Sequence, residues 1–162
     1  MKHYPSPVPD PGPNAVAPDI YRELYLMPMF VIIPSVDIEQ SKDFWCRGLG
    51  FGDLFSAPQL THLRRWAFQD VLLVPADQVE ETPSSTVSFA CVHNQLDQIA
   101  TRCEELVPGC TSGPDEKPWN AVELTVTTPE GARVVMTAAL PLPTAGPQAE
   151  NLLDLGIDLP GT

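Results

Sequence analysis

The sequence has 162 residues and 17.7 kDa, 43% hydrophobic and 19% charged, which suits one globular domain with one sizeable core. Nine Lys and Arg stand against 21 Asp and Glu, a net charge of -12 that repels phosphate backbones, so no nucleic-acid partner is expected. The longest apolar run, Met27 to Ile33, contains Pro28 and is far short of the ~20 residues of a membrane helix, so no membrane partner is expected either.

In chain order, the first element is an arm. Residues 1–25 carry Pro5, Pro7, Pro9, Pro11, Pro13 and Pro18, a composition that favours extended, solvated backbone. MKHYPSPVPDPGP lacks the apolar stretch of a secretory signal, so a cytoplasmic protein is the expectation. An apolar strand follows, Met29 to Ile33, with a break at Pro34-Ser35. Asp37 is a candidate helix cap, and Ile38, Ser41, Phe44, Trp45 and Leu49 recur at helical spacing up to Gly50. Strands are predicted over Phe51 to Phe55, Leu60 to Phe68 and Val71 to Val74, with a turn at Gln69-Asp70. Residues 76–85 are polar and read as a linker.

The same order then returns. Thr86 to Val92 is a strand, Asn94 a candidate cap, and Leu96, Ile99, Ala100, Cys103 and Leu106 the apolar face of a helix. A loop, TSGPDEKPWN, has room for one short strand. Val122 to Thr127 and Ala132 to Thr137 flank a Pro129-Glu130-Gly131 turn. Both copies read βαβββ, with modules at 27–75 and 86–138 inside a domain of 26–138, and a period of about 57 residues exceeds that of common solenoids. Residues 139–162 are a Pro-containing acidic tail whose NLLDLGIDL is amphipathic enough to dock.

The four cysteines, Cys46, Cys91, Cys103 and Cys110, show no C-x-x-C spacing, so no zinc ribbon or redox motif is expected. Reduced thiols are expected, with Cys91 and Cys103 packed and a Cys103–Cys110 bridge left open. No nucleophile elbow, phosphate loop or dinucleotide fingerprint occurs.

Three stretches carry a family resemblance: VIIPSVDIEQSKDFWCRGLGF, LLVPA, and GPDEKPWNAVELTVTTPEG. Together and in this order the chain resembles the vicinal oxygen chelate superfamily of glyoxalases, extradiol dioxygenases, and fosfomycin- and bleomycin-resistance proteins. The resemblance covers about residues 27–138, with Thr128 where the family usually has Asp. It implies an α+β fold, two βαβββ modules forming a curved eight-stranded mixed sheet around a cleft, and a homodimer that shares the cleft.

Metal-dependent members place His and Glu ligands on four strands. The resemblance puts these positions at Phe30, Leu73, Ser88 and Val135. A slip of one gives Met29, Val31, Leu72, Val74, Val87, Phe89, Val134 and Met136, none a usual ligand of a divalent metal. No metal and no cofactor are therefore expected, and the resemblance is to the metal-free, bleomycin-resistance-like branch. Of three histidines, His3 is in the arm and His93 at a strand end, while a His62–Glu123 pair on matching strands could be sketched.

A binding role is the easier reading. Alternation along the third strand puts His62, Arg64, Trp66 and Phe68 on one face and Thr61, Leu63, Arg65 and Ala67 on the other. The candidate ligand-binding set is Phe30, Phe55, His62, Arg64, Trp66, Phe68, Ser88, Trp119, Glu123 and Met136, with no catalytic residue assigned. Aromatic rings and an arginine suit a flat, partly polar ligand, a planar aromatic or peptide natural product. The expected function is sequestration or carriage of a bulky antibiotic, for self-resistance in a producer. The alternatives are a lyase, isomerase or dioxygenase with a non-standard site, and an interaction module using the Pro-rich arm.

Overall fold

The computed structural model describes residues 8–23, 30–79, 86–154 and 159. The expected strand start at Met29, most of the 76–85 linker, and His3 lie outside the described residues.

The two βαβββ modules are present. In the first, β1 (Phe30–Ser35) leads into α1 (Ile38–Asp43), which continues as a wider π-turn over Phe44–Gly48. Asp37 caps α1, its carboxylate accepting the Gln40 N–H at 3.0 Å. Gly50, at φ +79, lets the chain leave the helix in the left-handed region. β2 (Gly52–Ala57), β3 (Leu60–Arg65) and β4 (Gln69–Pro75) complete a sheet of order β1-β4-β3-β2, with β1 parallel to β4.

The second module repeats this plan with β5 (Thr86–Cys91), α2 (Leu96–Leu106), β6 (Thr111–Lys117), β7 (Ala121–Thr127) and β8 (Arg133–Ala139), in the order β5-β8-β7-β6. The TSGPDEK stretch is thus a full edge strand. Its bulge needs Gly113, at φ +94, because a side chain there would come within 2.8 Å of the Glu123 carbonyl oxygen.

Two local expectations are corrected. The β3–β4 turn lies at Trp66–Phe68, not at Gln69-Asp70, which begin β4. Trp66 and Phe68 hold φ of 53° and 60°, uncommon for bulky residues. Burial of Trp66 under the Arg65 guanidinium, 4.8 Å from its ring, sustains that conformation. Asn94 does not cap α2. It sits in a 3₁₀ turn over His93–Gln95, and its amide donates to the Ala15 carbonyl of the arm at 3.0 Å.

Each sheet buries one face and leaves the other open. Val71, Leu73, Leu63 and Ile33 from the first sheet join Phe89, Leu124, Val126, Val134 and Met136 from the second in one core around Trp45, Leu49, Ile99 and Cys103. Trp45, Phe51 and Phe89 meet edge-on at centroid distances of 5.0 to 6.1 Å. Each such aromatic pair contributes about 0.5–1.5 kcal/mol beyond its burial. Buried Arg65 ties the modules, donating to the Leu49 carbonyl at 3.0 Å, the Ala90 carbonyl at 3.3 Å and the Gln95 side chain at 2.9 Å.

The described residues of both ends pack on the modules or on one another. Ile20 lies over Gly52, and the Tyr21 N–H donates to the Trp66 carbonyl at 2.9 Å. In the tail, α3 (Pro147–Asp154) buries Ala149 and Leu152 with Leu159, and Gln148 donates to the Pro118 carbonyl at 3.0 Å. No helix of the described residues is long and apolar enough to cross a membrane.

Candidate functional site

The register defines the open faces, because residues directly opposite one another on paired strands point to the same side. On the first sheet one row runs Phe55, His62, Leu72, Ile32. A neighbouring row runs Gly52, Arg64, Asp70, Phe30, and by alternation the pairs Ala57–Leu60 and Val74–Pro34 lie on the same side. Phe30, Ile32 and Phe55 are exposed, so this face is a largely apolar surface in water. The arm covers one end of it, where Ile20 meets Gly52 and Arg64 donates to the Tyr21 and Glu23 carbonyls at 2.8 and 2.9 Å.

His62 brings polarity to this surface. Its Nε2 lies 2.7 Å from Oδ1 of the buried Asp70, which also accepts from Arg64 Nε at 2.7 Å. The Phe30 ring packs edge-on against the imidazole at 5.2 Å.

The open face of the second sheet is polar. Its rows are Ser112, Thr125, Val135, Ser88 and Asp115, Glu123, Thr137, Ala90. Ser88 and Thr137 hydroxyls are 2.7 Å apart, and Thr137 leans toward Glu123 Oε1 at 3.5 Å. Glu123 Oε1 also accepts the Trp119 indole N–H at 2.9 Å, which holds the exposed ring at the end of this face.

The sequence-predicted residues therefore divide. Phe30, Phe55 and His62 share the first open face, and Ser88, Glu123 and Trp119 the second. Four are placed otherwise. Met136 is 0% exposed, because its strand turns it into the core. Arg64 is 1% exposed, spent on Asp70 and the arm. Trp66 is buried, and Phe68, 56% exposed, lies on the turn, because β3 ends at Arg65 and its alternation ends with it. The candidate ligand-binding set left out Ile32, Leu72 and Asp70. The signal for Asp70 was a lone carboxylate two residues before Leu72, in phase with the open face.

The thiols are set by burial, not activated. Desolvation raises Cys46 and Cys91 above their ordinary range and pushes Cys103 up to about 12. A separate cavity of about 280 Å³, lined by His93, Leu96, Asp97, Pro114, Glu116 and Val122, includes none of the predicted site residues.

The family's metal positions do not fit a metal here. The register puts Leu72, not Leu73, on the open face, and Leu73 in the core. Phe30, Leu72, Ser88 and Val135 together offer no imidazole and no carboxylate. Among the described residues no three His, Cys, Asp or Glu side chains gather to hold a metal ion.

No protein-family model matches the sequence, and no curated protein sequence does. Solved structures match the fold. A bleomycin-binding protein from bleomycin-producing Streptomyces verticillus, complexed with copper(II)-bleomycin, is 17% identical with a TM-score of 0.55, covering 72% of this chain and 99% of its own. A fosfomycin resistance protein from Listeria monocytogenes is 10% identical with a TM-score of 0.57, covering 74% and 94%. A possible glyoxalase from Bacillus cereus is 16% identical with a TM-score of 0.56, covering 70% and 100%. At these identities the likeness is one of fold: the two modules have the architecture of the glyoxalase/bleomycin-resistance type.

Proposed function

We propose that this chain, with the fold of the vicinal oxygen chelate superfamily, is a metal-free small-molecule-binding protein. Its role is to sequester or carry a bulky aromatic or peptide antibiotic, for self-resistance in a producing cell. The observation that carries the reading is the pair of open sheet faces. One is apolar, with Phe30, Ile32 and Phe55 exposed, and the other is polar, with Ser88, Thr137, Glu123 and Trp119. Apolar area of this kind marks a ligand groove or an interface.

The protein acts as a homodimer in this proposal. Within one chain the sheets share a core through their buried faces, which leaves both open faces to a second copy. A cleft between the apolar face of one protomer and the polar face of its partner would take a flat ligand with polar groups on one side. The bleomycin-binding neighbours support sequestration, and the net charge of -12 suits a cationic ligand.

The test is titration with metal-free bleomycin and a panel of flat aromatic antibiotics, followed by tryptophan fluorescence. The expected result is saturable quenching by at least one compound, recovered chemically intact on release. No binding across the panel would refute sequestration of this class. Turnover of the bound compound would favour an enzyme, the second reading, which the His62–Asp70 pair on an open face supports. Deleting residues 1–20 should leave ligand binding in place, and loss of a protein partner alone would favour an interaction module.

A further inference from the structure

The apolar face of the first module carries a built polar anchor. Apart from buried Asp70 and Arg64, the described residues around His62 on that face are Phe30, Ile32, Phe55, Leu72, Leu60 and Val74, all without a polar side-chain atom. The imidazole Nε2 meets Asp70 Oδ1 at 2.7 Å, and the same oxygen already accepts Arg64 Nε–H at 2.7 Å. An oxygen in that role accepts from the ring as well, so in the neutral imidazole Nε2 carries the proton and Nδ1 carries the lone pair. Nδ1 has no partner among the described residues, and it is not among their buried unsatisfied atoms. Among the described residues it is therefore an acceptor with no donor. Asp70 is fully buried, Arg64 is pinned by the arm backbone, and Phe30 packs against the ring edge-on. The ring orientation is thus set from below and from one side.

We propose that His62 is the hydrogen-bond anchor of this face and selects ligands by a donor. The ligand class is a flat aromatic body, lying on Phe30, Ile32 and Phe55, with a phenolic O–H or ring N–H that donates to His62 Nδ1. The inference rests on the reading of the open faces as ligand-binding surface. It adds the chemistry that surface demands: an aromatic ether or hydrocarbon of the same shape leaves the acceptor dry and unpaired.

The test has two arms. In the first, protein labelled with 15N on histidine is read by long-range proton–nitrogen correlation at about pH 8, above the ordinary imidazole range. The expected pattern for His62 is a protonated Nε2 and a bare Nδ1. The opposite tautomer overturns the proposal. In the second, 2-naphthol and 2-methoxynaphthalene are compared by fluorescence titration on the parent and on His62→Phe, a change outside the hydrophobic core that leaves Asp70 its Arg64 bond. The naphthol should bind about 3- to 10-fold more tightly to the parent, the size of one added hydrogen bond. His62→Phe should remove that preference while still binding both. Equal binding of the two probes to the parent, or a preference that survives in His62→Phe, overturns the anchor and leaves the binding face standing. Binding of neither probe refutes the binding face, and the anchor with it.

Discussion

The Glu130 carboxylate accepts the indole N–H of Trp45 at 2.6 Å across 85 residues of chain. Its other oxygen takes the Ser41 hydroxyl at 2.8 Å, and all three side chains are buried. The β7–β8 turn of the second module is thereby fastened to the first module's helix. Glu130→Ala strands two buried donors, each costing about 1–3 kcal/mol, so a loss of about 2–4 kcal/mol is expected. Glu130→Gln, which keeps one acceptor, should lose about half as much. Urea denaturation of both variants measures the difference, and equal stability of Glu130→Ala and the parent would refute the clamp.

Arg65 makes a second link between the modules. Burial first, and the nearby Arg102 charge second, lower its guanidinium below the ordinary range, and its hydrogen-bond acceptors are carbonyls, an amide oxygen and the Cys91 thiol, with no carboxylate. A lysine has one nitrogen and cannot span these acceptors. Arg65→Lys should lose about 1–3 kcal/mol by denaturant titration, with ligand binding per folded molecule unchanged.

Cys103 gives the fold an alkaline limit. Burial raises its thiol from an ordinary 9.0 to about 12. The unfolded chain therefore loses this proton first. The contribution is whole below about pH 9 and is lost as pH rises through the window from 9 toward 12. Between about pH 8.5 and 10.5 the parent should lose roughly 1 kcal/mol more than Cys103→Ala, after allowance for solvent screening. A parallel pH dependence of the two midpoints would contradict this.

The two tryptophans should separate by assay. Trp119 is 50% exposed beside Glu123, whereas Trp66 is 3% exposed beneath Arg65. With the tightest compound of the antibiotic panel, Trp119→Ala should weaken binding by about 5- to 150-fold, the range of one stacked ring. Trp66→Ala should leave affinity alone and cost about 3–5 kcal/mol of stability. The reverse pattern would move the ligand to the β3–β4 turn.

Ile32 tests the second copy. It is 64% exposed on the first open face, outside the core. At micromolar concentration light scattering should give a dimer for the parent and a shift toward monomer for Ile32→Asp, since a buried charge at an apolar interface is costly. A monomeric parent would remove the shared cleft.

Much of the architecture was determined by the sequence alone. Strand, cap, helix and three further strands, occurring twice, are written in local patterns: Asp37 before its helix, Gly50 after it, alternation through Val122 to Thr127. Such signals act over a few residues and need no partner. The poverty of metal donors at the family's positions was legible in the same way, since it survives a one-residue slip.

Only the tertiary structure decided which side chains the site presents. Leu72 and Leu73 are interchangeable as letters, and pairing with Ile32 and Ile33 assigns one to the open face and the other to the core. Arg64 looked like a ligand contact until Asp70 and the arm backbone claimed it. The Trp66–Phe68 turn has none of the glycine or asparagine that usually marks left-handed backbone; at Trp66 burial and the Arg65 guanidinium hold it instead. Each of these depends on a group distant in sequence or on the partner strand's register, and a one-residue shift in register reverses every side chain on a strand.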